Sequence, residues 1–291
     1  MSTHDIDLHD DDQPVGRLLT RREILRLFGG TGAALALGLG LPRLVSAQAG
    51  TDTPTVDPTS TPLPSCVVRP ELTEGPYFVD NDLNRSDIRL DPTDESVRVG
   101  LPLWLTFRVS EITRRACAPL PGARVDIWHC DAEGEYSGVE ANRTENNEAL
   151  WLRGYQITDE AGVAEFVTIY PGWYTGRAVH IHFKIRMNPE DEQGYEFTSQ
   201  FFFPEDINDL VHAEAPYASK GTRNRLNEQD GIFRQSEGLL TLDVQPFEKD
   251  DESGYAAVFT IGLNLSDASV GADDGAGARG ALRPGNPGSR P

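Results

Sequence analysis

Residues 179–185, Val-His-Ile-His-Phe-Lys-Ile, alternate apolar and polar side chains without interruption. A period of two is typical of a β-strand, because successive side chains of a strand point to opposite faces. The stretch therefore predicts a strand with one apolar face and a second face that carries two histidines, His180 and His182.

Six further stretches show the same short period or a short apolar run, and Gly, Pro and Asp turn signals separate them. They span residues 101–109, 124–130, 162–170, 198–203, 239–244 and 255–263. Only residues 205–230 have a weak helical pattern. Seven or more short strands predict an all-β domain, either a barrel or, as we prefer, an antiparallel β-sandwich with few short helices.

The N-terminal residues 1–49 have the order of an export signal. Arg21 and Arg22 precede an apolar Gly- and Ala-rich run at 27–45, and Ala-Gln-Ala at 47–49 fits a cleavage site. The paired arginines predict a twin-arginine signal peptide and a periplasmic or extracellular protein that meets the membrane only during export. A single transmembrane anchor is the alternative.

The remaining chain divides by composition. Residues 50–65 are rich in Thr and Pro and predict an extended linker, and residues 266–291 are rich in Gly and Pro and predict a disordered tail. Residues 66–265 are left as one domain of sandwich size.

Composition limits the class of function. The 291 residues carry a formal net charge of −20, from 26 Lys+Arg against 46 Asp+Glu, and the mean hydropathy is −0.42. These values exclude a polytopic membrane protein. They also argue against a nucleic-acid partner, since phosphate binding depends on Lys and Arg.

The His-x-His pair is the sharpest local motif. Two imidazoles on one strand face can bind a single metal ion, and zinc, copper and iron all accept imidazole. Two ordinary histidines on a polar strand face are the simpler alternative.

Two tyrosines narrow the choice of metal. Tyr174 ends a Pro-Gly-Trp-Tyr turn shortly before the histidine strand, and Tyr136 follows an Asp- and Gly-rich turn. Each phenol alone would be interpreted as a structural side chain. Together with two imidazoles they favour Fe(III), because phenolate is a hard anionic ligand and the usual Fe(II) site would need a carboxylate.

In these blocks the sequence resembles the intradiol ring-cleavage dioxygenases, over roughly residues 70–203. The resemblance rests on several ordered segments: Thr-Glu-Gly-Pro-Tyr at 73–77, Pro-Gly-Ala-Arg-Val-Asp-Ile-Trp-His-Cys-Asp-Ala-Glu-Gly-Glu-Tyr-Ser at 121–137, Leu-Arg-Gly-Tyr-Gln-Ile-Thr-Asp at 152–159, Tyr-Pro-Gly-Trp-Tyr at 170–174 and Arg-Ala-Val-His-Ile-His-Phe at 177–183.

The resemblance implies a ligand set and its neighbours. It makes Tyr136, Tyr174, His180 and His182 the ligands of a mononuclear non-haem Fe(III), with Tyr174 also catalytic as a group that takes up a substrate proton. It places Arg177 beside the substrate, where it would stabilise negative charge; the plain alternative is a surface salt bridge.

Two further residues follow less directly from the same resemblance. Gln200 would lie near the iron, or else make only a hydrogen bond within the sandwich. Tyr77 would line the pocket.

The implied activity is cleavage of a catechol-type aromatic diol by O2 to a cis,cis-muconate-type product, with both oxygen atoms entering the product. A homo-oligomer is left open, because the N-terminal helical domain of the catechol-cleaving branch has no counterpart here. Two other classes stand against this function. One is a secreted β-sandwich binding module with exposed aromatic side chains, and the other is a secreted copper or zinc enzyme that uses the histidine pair.

Three cysteines are present, and export would permit a disulfide. Cys130 lies within an apolar strand pattern and is expected to be buried. We therefore favour a Cys66–Cys117 pair, although spacing alone cannot fix connectivity.

Overall fold

The computed structural model describes residues 67–113, 116–139, 148–189 and 194–266. The predicted signal peptide at 1–49, the linker at 50–65, Cys66 and all of the predicted tail except Ser266 lie outside these ranges. Within them the chain forms two β-sheets that enclose one core, which confirms the predicted β-sandwich.

In the described ranges, nine strands build the two sheets. In chain order they are β1 (Pro102–Ile112), β2 (Cys117–Pro119), β3 (Arg124–Trp128), β4 (Arg153–Ile157), β5 (Val163–Ile169), β6 (His180–Met187), β7 (Tyr195–Phe202), β8 (Val244–Lys249) and β9 (Glu252–Leu263).

The first sheet is organised around β1. One edge of β1 pairs antiparallel with β5 and then with β2, and its other edge pairs with β9, which forms a hairpin with β8. The β1–β9 pair is parallel, so the predicted antiparallel sandwich contains one parallel pair. The second sheet has the order β4-β3-β6-β7 and is antiparallel throughout.

Phenylalanine rings contact one another across the space between the two sheets. The ring of Phe183 on β6 lies 5.6 Å from that of Phe107 on β1 and 4.9 Å from that of Phe259 on β9. Phe201 on β7 lies 5.5 Å from Phe259. These aromatic contacts bury the apolar face of the β6 alternation and leave its histidine face on the opposite side of the sheet.

Within the described ranges, helical structure is confined to the region between β7 and β8. It comprises α1 (Glu205–His212), α2 (Gly231–Gln235) and two short 3-10 turns at 217–220 and 227–229. The helix α1 and the two 3-10 turns lie within the stretch 205–230, for which the sequence predicts a weak helical pattern, whereas α2 begins just after it. Among the described residues, no helix has the length and apolar character needed to cross a bilayer.

The strand predicted at 239–244 is wrong. Its alternation arises because Leu240 and Leu242 are buried in a turn that packs beside Phe202. The N–H of Phe202 donates to the carbonyl of Leu240, and the N–H of Leu242 donates to the carbonyl of Phe202. The strand in this region, β8, begins only at Val244 and is almost wholly exposed, so it lacks an apolar period. The short β2 and the polar β4 were also missed.

A buried histidine, His129, joins the two sheets just after β3. Its Nδ1 is 2.8 Å from the carbonyl oxygen of Cys130 and its Nε2 is 2.7 Å from the hydroxyl of Thr168 on β5. A carbonyl can only accept, so Nδ1 carries the proton and Nε2 accepts from the hydroxyl. Burial lowers the pKa of His129 to about 4, and the ring is neutral in the fold.

This histidine should make the fold sensitive to mild acid. The pKa of His129 in the folded protein lies below its ordinary value. Its contribution to the free energy of unfolding is therefore complete above about pH 6.5 and is lost as the pH falls toward 4. Between pH 7.5 and pH 5, urea unfolding should show that the wild type loses about 2 kcal/mol more unfolding free energy than His129→Gln. Equal losses in the two proteins would contradict this origin.

Candidate metal centre

One row of side chains crosses the outer face of the second sheet from strand to strand. The register places Arg153 of β4 opposite Trp128 of β3, Trp128 opposite His182 of β6, and His182 opposite Gln200 of β7. Cross-strand partners point to the same face of a sheet. All four side chains are buried, and His180 lies beside the row on the same face of β6.

The two histidines face each other through their Nε2 atoms, which are 3.0 Å apart. The Nδ1 of His180 lies 2.7 Å from the carbonyl oxygen of Ala178, so Nδ1 carries the proton and Nε2 presents a lone pair. Burial lowers the pKa of both rings well below the ordinary value, and nearby positive charge adds to the effect. Both imidazoles are therefore neutral and able to bind a cation.

The ring of His182 is held by stacking. It lies parallel to the indole of Trp128, with 5.0 Å between ring centroids and 8° between planes. Among the described residues, no group forms a hydrogen bond with Nδ1 of His182. Sequence analysis did not identify Trp128 as a site residue; the signal was its place in the strand that precedes the Tyr136 turn.

The two predicted tyrosines meet the histidines. The hydroxyl of Tyr174 lies 3.2 Å from Nε2 of His180. The ring of Tyr136, which is buried, lies 5.7 Å from that of Tyr174 and 6.4 Å from that of His182. The structure therefore brings Tyr136, Tyr174, His180 and His182 together at one place.

Close packing of two turns explains this meeting. Gly134, with φ +78°, lies against the carbonyl of Trp173, where a Cβ atom would come within 2.1 Å of the oxygen. Gly172 lies equally tightly against the carbonyl of Asp131 and donates its N–H to it at 3.0 Å. A side chain at either glycine would force apart the turns that carry Tyr136 and Tyr174.

Tyr77, in the segment that precedes β1, packs against both Tyr136 and Tyr174. Its ring stacks on Tyr136, with 4.2 Å between centroids and 17° between planes, and meets Tyr174 edge-on at 5.9 Å. The predicted position of Tyr77 in the pocket block thus corresponds to direct aromatic contact with both tyrosines.

Arg177 is fully buried, so the alternative of a surface salt bridge is wrong. Its Nε donates to Oδ2 of Asp230 at 3.0 Å, its Nη1 is 3.5 Å from Nε2 of His180, and its Nη2 donates to Oε1 of Gln200. Gln200 also donates to the carbonyl of Thr73 at 3.3 Å. Arg177 thus links the histidine pair to Gln200 and to a buried carboxylate.

Sequence analysis missed Asp230. Its Oδ1 accepts from the backbone N–H groups of Ile232 and Phe233 at the start of α2, and its Oδ2 accepts from Ala178 and Arg177. Burial alone would raise the pKa of Asp230, but Arg177 and the backbone donors outweigh it and hold the pKa below its ordinary value. An Asp-Gly pair just before an apolar stretch was the available signal for this helix cap.

The cysteines agree with the expectation where they can be seen. Cys130 is a buried free thiol, and Cys117 is disulfide-bonded. The predicted partner, Cys66, lies outside the described residues, so the Cys66–Cys117 pair stays a prediction.

The donors at this place fit a single metal ion. Two imidazole nitrogens that each bind one ion at about 2.1 Å would be about 3 Å apart at a right angle, close to the separation of the histidine pair. In the described ranges, no cluster of three or more His, Cys, Asp and Glu side chains that could hold a metal ion is present, and an ion here would need further ligands beside the two imidazoles. The adjacent phenols can supply them, and phenolate oxygen suits a hard ferric ion.

Comparisons with known proteins place this geometry in a family. Residues 73–229 match the model of a family described as Dioxygenase. An intradiol ring-cleavage dioxygenase from Tetranychus urticae is similar in structure, with a TM-score of 0.57 and 31% sequence identity over 69% of this chain and 96% of that one.

Two curated relatives are similar over shorter segments. The catechol 1,2-dioxygenase of Pseudomonas sp. (strain EST1001) is 31% identical over 106 residues, which is 36% of this chain and 32% of the relative. The chlorocatechol 1,2-dioxygenase of Pseudomonas putida is 27% identical over 150 residues, which is 45% of this chain and 52% of the relative. The chain thus spans about a third and about half of their lengths.

Proposed function

Because the chain belongs to the intradiol ring-cleavage dioxygenase family, we propose that it cleaves the ring of a catechol-type diol with O2 and forms a cis,cis-muconate-type product. The observation that supports this activity most strongly is the meeting of two phenols and two neutral imidazoles at one buried place. A binding module would not need this set of side chains.

The proposed cofactor is a mononuclear non-haem Fe(III) held by Tyr136, Tyr174, His180 and His182. When bound, the ferric ion would supply Lewis acidity toward the diol and an electron-accepting centre for its reaction with O2. The residues around it would hold the diol, move its protons and exclude water.

Tyr174 is the residue best placed to move a proton. It is half-buried and its hydroxyl oxygen lies 3.2 Å from Nε2 of His180, whereas Tyr136 is fully buried beneath Tyr77. We assign Tyr174 the uptake of a proton from a substrate hydroxyl at its phenolic oxygen.

Arg177 would stabilise negative charge as it develops on the substrate oxygens. Its guanidinium is fixed by Asp230 and Gln200, so no reorganisation is needed when the charge forms. The aromatic rings of Tyr77 and Trp128 would exclude water from the same place, which strengthens this electrostatic contact.

Metal analysis and oxygen uptake test the proposal. The purified protein should contain about one ferric ion per chain, show a broad visible phenolate-to-iron band, and consume O2 with an unsubstituted catechol. With isotopically labelled O2, both atoms should enter the product. His182→Ala is the control and should lose iron, band and oxygen uptake together.

The outcomes separate the three classes of function. Copper or zinc without a phenolate band would support the rival metalloenzyme, and a stable protein that binds no metal would support a binding module. Either result would overturn the proposed activity.

We also propose that the protein is exported by the twin-arginine route. The Arg21-Arg22 pair ahead of an apolar run supports this location, as does the disulfide-bonded Cys117, because disulfides persist mainly in oxidising compartments.

A further inference from the structure

Arg153 on β4 is a buried cation to which the proposed reaction gives no role. It stands at one end of the row that continues through Trp128, His182 and Gln200, and its side chain is almost wholly inaccessible to solvent. A guanidinium is costly to bury, so its surroundings indicate what it stabilises.

The guanidinium joins two separate segments of backbone. Its Nη1 donates to the carbonyl of Tyr77 at 2.6 Å, and its Nε donates to the carbonyl and hydroxyl oxygens of Ser137 at 2.9 Å and 3.1 Å. The Ser137 hydroxyl in turn donates to the carbonyl of Trp151 at 2.6 Å. Arg153 therefore fixes the backbone of Tyr77 and of the residue that follows Tyr136.

These two segments carry the stacked pair of tyrosines. The rings of Tyr77 and Tyr136 lie 4.2 Å apart and nearly parallel, and the guanidinium carbon of Arg153 lies 5.9 Å from the centre of the Tyr136 ring. Without the hydrogen bonds from Arg153, both backbone segments would lose their link, and the proposed ligand Tyr136 could move.

Charge distinguishes Arg153 from its buried neighbours. Arg177 pairs with Asp230, and Arg186 pairs with Asp80 and Asp126. In the part of the chain that the structure describes, Arg153 has only carbonyl and hydroxyl acceptors and no carboxylate within ion-pair distance. The anion that the proposed function puts beside it is the phenolate of Tyr136.

We propose that Arg153 is a positioning residue of the iron site, which clamps Tyr77 against Tyr136 and balances the charge of the Tyr136 phenolate. This assignment rests on the proposed function. It separates two roles of one side chain: the fork that joins two carbonyls, and the positive charge over the ring.

Two substitutions test the two roles separately. Arg153→Lys keeps the charge but cannot bridge both segments, and Arg153→Gln removes the charge as well. Both should weaken ferric-iron binding by about 10- to 100-fold, as loss of a group that orients a metal ligand typically does. Arg69, which donates to the carbonyls of Thr260 on β9 and of Leu239 in the turn before β8, gives the matched control, and Arg69→Lys should keep wild-type affinity.

The phenolate band tests the charge. In a Tyr174→Phe background the remaining phenolate is Tyr136, and adding Arg153→Gln should move the band to longer wavelength, because an anion without its counter-charge donates electrons more easily. In a Tyr136→Phe background the remaining phenolate is Tyr174, and the same change should leave the band in place.

The outcomes distinguish this assignment from the proposed function. Far-UV circular dichroism and urea unfolding of the metal-free variants first establish that they fold. If Arg153→Gln does not fold, the iron affinity of Arg153→Lys alone tests the role of Arg153. A wild type with iron and a phenolate band, together with a folded Arg153→Lys of wild-type affinity, overturns the role of Arg153 alone. Equal band shifts in both tyrosine backgrounds overturn it too. A wild type that takes up no iron overturns both.

Discussion

Replacing Tyr174 by phenylalanine should leave the fold intact, change the visible phenolate-to-iron band and slow catechol turnover by about 10²- to 10⁴-fold, the usual range for loss of a proton-transfer group. Phenylalanine keeps the ring contacts of Tyr174 with Tyr77, Tyr136 and His180. It removes only the phenolic oxygen, which is both a proposed iron ligand and the proposed proton acceptor.

The measurement is a visible spectrum of the iron-loaded protein followed by steady-state oxygen uptake. Tyr155→Phe is the matched control, because Tyr155 lies on the edge strand β4 and its hydroxyl donates to Asp82 at 2.8 Å rather than to a side chain of the histidine pair. That variant should keep the wild-type band and rate. An unchanged band and an unchanged rate in Tyr174→Phe would remove Tyr174 from the iron site.

The sequence could predict the sandwich because its central strands are buried on one face. In β1, Leu103, Leu105 and Phe107 point inward and alternate with more exposed side chains. Burial of one strand face therefore produces the apolar period of two in the sequence. The same logic fails for β8, which is almost wholly exposed, and for residues 239–244, whose buried leucines belong to a turn.

The four proposed ligands could be named from sequence because each stands in a local motif. A local motif cannot show which distant segments support it. Asp230 reaches Arg177 across 53 residues of chain, and the contact of Trp128 with His182 depends on the β3–β6 register. These supporting residues depend on tertiary packing, which a single sequence does not display.

Asp230→Asn should lower the free energy of unfolding of the metal-free protein by about 3–5 kcal/mol, the usual cost of breaking a buried ion pair from one side. The carboxylate and the guanidinium of Arg177 are both fully inaccessible to solvent. An asparagine oxygen could still cap α2, but its NH2 group would then face the N–H donors of Arg177 and Ala178. A buried cation would be left without its counter-ion.

Urea unfolding should show that this loss depends on Arg177. In an Arg177→Met background the buried cation that pairs with Asp230 is gone, so adding Asp230→Asn should cost much less than it does in the wild type. Asp159→Asn is the matched control, because the Asp159 carboxylate also accepts from two backbone N–H groups, of Ala161 and Val163, but is exposed and forms no ion pair with any residue in the described ranges. Its cost should stay below about 0.5 kcal/mol.

Asp230→Asn should also slow turnover, because Asp230 fixes the orientation of the Arg177 guanidinium. With Asp230→Asn, Arg177 keeps Gln200 and His180 as neighbours but loses the bond that fixes its Nε. Turnover should therefore fall by about 10²- to 10³-fold, as when one preorganised donor is removed. Iron content should stay near the wild-type level, because Asp230 accepts from Arg177 and from backbone N–H groups rather than from the segments that carry Tyr136 and Tyr174. In the Arg177→Met/Asp230→Asn double variant, the losses of unfolding free energy and of turnover rate should be smaller than the sum of the two single losses. If they simply add, the two side chains act independently and Asp230 serves only as a helix cap.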